Sequence, residues 1–171
     1  MGEVLKQLAS SLNIILGALC ALGGALIQSR LSEANRKNRL LAEKLERAYM
    51  LCQDIYDGHK REMLNAVNNL PDSPTLFLER RNHPGKEVSE LKMLIRSYAP
   101  DLKIKLVQLD KGHEPLKKEF RKLEQLVASG NISELSITEK NQQWEGYLSE
   151  LGQGSNGIKA GIESVLNRLV K

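Results

Sequence analysis

The densest group of chemistry-bearing side chains is the stretch "CQDIYDGHKRE", where Cys52, Asp54, Asp57, His59 and Glu62 fall within eleven residues. On a helix, Cys52, Ile55 and His59 share one face, Glu62 lies one turn beyond His59, and Asp54 and Asp57 point elsewhere. His59 and Glu62 spell H-x-x-E, a nitrogen and an oxygen ligand of the kind divalent transition metals accept. A carboxylate-bridged bundle site needs E-x-x-H pairs from two helices and further glutamates from two more, which this chain does not spell. His113, beside Glu114, holds the equivalent position of a second helical repeat, so a His59, Glu62 and His113 site is conceivable where two antiparallel helices meet. The third repeat offers only Asn141 and Ser155 on its seam. The preferred reading is therefore two core-edge histidines hydrogen-bonded to neighbours, with no metal and no cofactor. His83, in the turn His83-Pro84-Gly85, reads as an ordinary loop histidine, and no Ser or Cys has a His and acid pairing that would make it a nucleophile.

Gly152, Gly154 and Gly157, in "LGQGSNGIKAG", have the G-x-G-x-x-G spacing of dinucleotide-binding loops. That fingerprint needs a preceding strand and an acidic residue about 20 positions further on, and neither is present. The glycines interrupt no pattern, because the heptad phase is the same on both sides of them. Nucleotide binding is not expected there. Glycines cost a helix about 1 kcal/mol each relative to alanine, so the sequence predicts a local bend or break where a partner helix comes close.

The elements that must carry these residues are helical. Only 4% of residues are aromatic, and Leu, Lys, Glu and Ala dominate. The net charge of +4, from 25 Lys and Arg against 21 Asp and Glu, is mixed along the chain rather than clustered, which argues against nucleic acid as a partner. Cys20 lies in an apolar run and Cys52 on a packing face, two unlike environments that suit reduced thiols.

No charge occurs between Lys6 and Arg30, and the centre of that interval reads "LNIILGALCALGGALI". The run is somewhat short of the roughly 20 residues that span a hydrocarbon layer, but its weakly polar flanks extend it. A secretory signal peptide fits poorly, with Glu3 set against Lys6 before the run, and a lipoprotein reading fails because Leu19 precedes Cys20. A buried helix of a soluble core is the other alternative. The preferred expectation is a retained transmembrane helix over residues 1–29, with membrane lipid as a partner. Gly17, Ala21 and Ala25, four apart, form a small-residue stripe on which such helices can associate. Arg30, Arg36, Lys37, Arg39, Lys44 and Arg47 follow the run and only Lys6 precedes it. By the positive-inside rule the N-terminus is outside and residues 30–171 are cytoplasmic.

Three helical repeats follow. The first reads Ala34, Asn38, Leu41, Leu45, Ala48, Cys52, Ile55 and His59, and ends before "LPDSP". Asn38 on such a seam costs stability while fixing register or oligomer state. Leu76, Phe77 and Leu78, in the connection after it, form a short apolar group suited to capping the bundle end. The second repeat runs from Val88 through Leu91, Ile95, Tyr98, Leu102, Leu106, Leu109, His113, Leu116, Phe120 and Leu123 to Val127, with a break expected at Pro100 and a kink at Pro115. The third runs from Ile137 through Trp144, Leu148, Leu151, Ile158, Ile162 and Val165 to Leu169. Gly130 ends the second helix, and Ser136 with Glu139 has capping-box spacing at the start of the third. The fold class is all-α: helices over about 30–70, 86–128 and 136–170 in an up-down-up antiparallel bundle, standing on the N-terminal helix.

The segments "KLERAYMLCQDIYDGHKREM", "KMLIRSYAPDLKIKL" and "HEPLKKEF" resemble a loose set of uncharacterised bacterial proteins with one membrane segment and a helical cytoplasmic part. The resemblance implies bacterial origin, hence the inner membrane, and no activity. The expected function is a non-enzymatic, single-pass module whose bundle binds a protein partner or itself. The first alternative is a membrane-acting effector or lysis-type factor that oligomerises through Gly17, Ala21 and Ala25. The second is a metal-dependent bundle enzyme.

Overall fold

The computed structural model describes residues 2–81, 83–130 and 137–169, with side chains described from residue 23 onward except that of Thr138. Every regular element among them is helical, as the composition predicts. They are α1 (Gly2–Asn69), α2 (Pro74–Glu79), α3 (Gly85–Tyr98), a 3-10 turn (Pro100–Leu102), α4 (Lys103–Ala128) and α5 (Ile137–Leu169). The chain divides into two compact units, Met1–Leu41 and Ala42–Lys171.

The first unit is the N-terminal part of α1. Its described side chains are largely solvent-facing, and Leu26, Ile27 and Leu31 are 65%, 63% and 60% exposed. Ala25, Ala34 and Asn38 are exposed as well. Gly17 and Ala21 lie outside the residues whose side chains are described. Among the described residues no helix is long and apolar enough to cross a membrane.

The second unit contains the core. From Leu45 onward most heptad positions are buried: Leu45, Ala48, Cys52, Ile55 and His59 from α1, Val88, Leu91 and Ile95 from α3, and Leu106, Leu109, His113, Leu116, Phe120 and Leu123 from α4, with Tyr98, Leu102 and Val127 half-buried. Trp144, Leu148, Leu151, Ser155, Ile158 and Ile162 of α5 complete it. Each fully buried large apolar side chain contributes about 1.5–3 kcal/mol of transfer free energy. Phe77 of α2 is also buried, and its carbonyl accepts a hydrogen bond from Asn65 Nδ2 at 3.0 Å, which seats the short helix on α1.

The break expected at Pro100 is present and divides the segment over 86–128 into two helices. Pro100 has no amide hydrogen and biases Ala99 away from helical geometry. Ala99 accordingly has φ −142° and ψ 61°, and α3 stops at Tyr98. Lys92 of α3 then meets Asp110 of α4 at 2.7 Å, so the chain turns back on itself at the proline instead of continuing. Among the described residues four long segments, not three, therefore make most of the core: α1 from residue 42, α3, α4 and α5. Pro115, by contrast, lies inside α4, which continues through it between the buried residues His113 and Leu116. Gly130 adopts φ +73° after α4, the left-handed terminator expected of it. Ser136 lies outside the described residues.

The expected break at Gly152–Gly157 is absent, since α5 is helical from Ile137 to Leu169. Packing explains the difference. A Cβ on Gly154 would lie 2.5 Å from the Leu109 backbone nitrogen, and one on Gly112 would overlap the backbone of Tyr147 and Leu151. Gly152 lies against the Tyr56 ring at 3.2 Å by the same measure. The glycines let α4 and α5 approach backbone to backbone, and the close packing this allows outweighs the loss of helix propensity. Substitution of Gly112 or Gly154 by Val should lower stability by about 3 kcal/mol, while Gly146→Ala, with open space around it, should raise it by about 0.5–1 kcal/mol. Urea unfolding midpoints measure both, and an unperturbed Gly154→Val protein would mean that α4 and α5 do not cross there.

Candidate metal centre

His59 and Glu62 lie one turn apart on α1 and both are buried. The chain beyond them returns to the same place. From Glu62 to the end of α1 at Asn69 is about 10 Å of helix, and the segment through α2 is long enough to retrace it. Gly58 makes the return tight: a Cβ there would sit 3.1 Å from Pro84 Cβ, so the missing side chain admits the connector between α2 and α3. The Gly85 amide donates to the His83 carbonyl at 2.8 Å, which bends the connector and turns His83 toward α1. His113 arrives from α4.

All three histidines of the chain therefore converge. Ring centroids are 5.5 Å apart for His59 and His83, 5.1 Å for His59 and His113, and 5.8 Å for His83 and His113. His59 Nε2 and His113 Nδ1 share a hydrogen bond of 2.9 Å. Glu62 Oε2 lies 3.3 Å from His83 Nδ1 and 3.9 Å from His59 Nδ1. The other carboxylate oxygen, Oε1, accepts 3.0 Å contacts from Arg81 Nε and from a terminal guanidinium nitrogen of the same residue. The remaining terminal nitrogen of Arg81 pairs with Glu124 on α4. Arg81 thus crosslinks α1, the connector and α4 while leaving Oε2 facing the imidazoles.

Burial sets the protonation of this cluster. Desolvation, reinforced by the neighbouring His113 and His83, lowers the His59 pKa to about 3. Desolvation also lowers His113 to about 4, against an opposing pull from Glu114. Both imidazoles are neutral at pH 7, the form with a lone pair to donate. Two buried nitrogens, His59 Nδ1 and His83 Nε2, have no hydrogen-bond partner. One ligand atom each from His59, Glu62 and His83 lies within 4.8 Å of the others.

The structure thus joins the three residues that the sequence makes conceivable as ligands, His59, Glu62 and His113, and adds His83 and Arg81. His83 is no ordinary loop histidine, and the available signal for it is its place in the charged, turn-bounded stretch "ERRNHPG". The other members of the 52–62 cluster do not join. The Cys52 carbonyl accepts the Ser155 hydroxyl at 2.8 Å, and burial pushes its thiol up to about 11. Asp57 accepts from Gln53 at 3.0 Å, a surface contact. No family model, curated protein or solved structure matches the chain.

The depressed histidines have a pH consequence with a definite sign. In unfolded chains they take up protons below about 6.5, and in the folded protein only near 3 and 4. Their contribution to stability is complete above pH 6.5 and is lost as pH falls from there toward the folded values. In EDTA-treated protein, stability should fall between pH 6.5 and 5, before most carboxylates titrate, by up to about 1.4 kcal/mol per pH unit for each histidine. Replacing His59 by Gln should make that slope shallower, whereas equal slopes would place His59 in contact with water.

Proposed function

We propose that the chain is a non-enzymatic, membrane-anchored assembly module, in which the unit from residue 42 binds a protein partner or a second copy of the chain. The observation that carries this reading is the uncharged interval from Gln7 to Ser29, with its apolar core, inside a helix that runs from Gly2 to Asn69. The exposed Leu26, Ile27 and Leu31 extend the same apolar character into the described residues. Hydrocarbon is one environment that covers such side chains at no cost. Lys and Arg crowd the residues after the interval, which under the positive-inside rule puts the bundle in the cytoplasm and the N-terminus outside. The bundle is then read as four segments of alternating direction, a compact body suited to presenting a face to a partner.

This reading has a direct test. After alkaline washing, full-length protein should stay with membranes, and residues 30–171 should be recovered in the supernatant as a folded helical protein. Light scattering on the second species then gives its association state. Full-length protein in the washed supernatant would mean that residues 7–29 are covered by protein rather than lipid, and the anchor would be withdrawn.

A further inference from the structure

We propose that His59, Glu62 and His83 bind a divalent transition-metal ion, Zn2+ in the first instance, with His113 and Arg81 orienting the ligands. The donor set decides the class of ion. Two imidazoles and one carboxylate suit Zn2+ and its first-row neighbours, whereas Ca2+ and Mg2+ take oxygen ligands. The three donor atoms lie within 4.8 Å of one another, so side-chain shifts are needed to bring every pair to the spacing the ion requires. Ligand bonds of about 2.0–2.1 Å in a tetrahedron place neighbouring donor atoms about 3.4 Å apart. Here His83 Nδ1 and Glu62 Oε2 are already 3.3 Å apart, and His59 Nδ1 and Glu62 Oε2 need to close from 3.9 Å.

The surrounding groups do what outer partners of metal ligands do. His59 Nε2 is engaged by His113, which fixes the ring and leaves Nδ1, a fully buried and unpartnered nitrogen, directed at Glu62. Arg81 holds Glu62 through Oε1 alone, so Oε2 remains for the ion. Such partners fix ligand orientation and typically change affinity 10- to 100-fold when removed. Three protein ligands leave a fourth position for water, the open arrangement of zinc sites that also take exogenous ligands. The ion would join α1 to the connector, and through His113 to α4, so binding and the stability of this end of the bundle are linked.

The competing possibility is a purely structural ion pair, with Glu62 satisfied by Arg81 and the histidines as packing. Titration of EDTA-treated, untagged full-length protein with Zn2+, followed by calorimetry and thermal melting, separates the two. The metal site predicts one Zn2+ per chain and a melting temperature that rises with Zn2+ concentration. It further predicts at least 100-fold weaker binding for His83→Ala, whose residue lies in the connector and not in a helix, and 10- to 100-fold weaker binding for His113→Phe. Cys52→Ser should bind like the parent protein. Absence of stoichiometric binding by the parent protein, or undiminished affinity in His83→Ala, would overturn the proposal. The parent titration decides even where a variant folds poorly.

Discussion

The buried carboxylate of Glu62 is the constraint around which this end of the bundle is arranged. A carboxylate taken out of water loses several kcal/mol of hydration unless charged and hydrogen-bonding partners replace it. No residue on its own face of α1 can replace it, because His59 stands 3.9 Å away and is neutral. The partner comes from outside the helix: Arg81, in the connector, contacts Oε1 through two of its nitrogens. Satisfying one charge thereby fixes the path of a loop. The loop carries His83 to Oε2, and Arg81 continues to Glu124, so α4 is tied to the same point. Gly58 is the steric condition for this, since a side chain there would meet Pro84.

A second constraint operates between α4 and α5, and it is one of shape. Gly112 and Gly154 remove the side chains that would separate the two backbones, and the flanking positions then interdigitate at short range. Phe120 and Trp144 pack with ring centroids 5.3 Å apart on one side of the crossing, and Gly161 receives Leu102 on the other. Glu119, lying between α4 and α5, is paired with both Lys122 and Lys140 at 2.8 and 2.7 Å, which holds its carboxyl below the usual carboxylate range despite partial burial. Rigid placement of α4 is what gives His113 a fixed position. The site on α1 therefore depends on how α4 packs against α5.

The parts of this architecture legible in the sequence are those that depend on period. From Leu45 onward most heptad positions are buried because a 3.5-residue repeat generates a continuous apolar stripe whatever it packs against. The same repeat includes Ala34 and Asn38, which are exposed, because nothing in a seam says where its partner helices end. Pro100 is legible as a break, but a break does not encode its angle, and the reversal, seen in the contact of Lys92 with Asp110, is set by tertiary packing. The glycines at 152–157 are legible as a place of close approach, yet they do not interrupt the helix, because local propensity does not weigh backbone contacts made with another helix. His83 is least legible. Turn residues carry no periodicity, and its role comes from the return path of the connector.

Glu62 and Arg81 are directly coupled, and that coupling holds the loop. A double-mutant cycle measures it most directly, using Glu62→Gln, Arg81→Met and the double variant, each unfolded in urea at pH 7 in the presence of EDTA. Each single substitution should strand a buried partner and cost about 2–4 kcal/mol, with a coupling energy of about 2 kcal/mol or more. A coupling energy near zero would contradict this, because the connector would then be held by Phe77 and Pro84 alone and the carboxylate would have no fixed orientation toward the histidines.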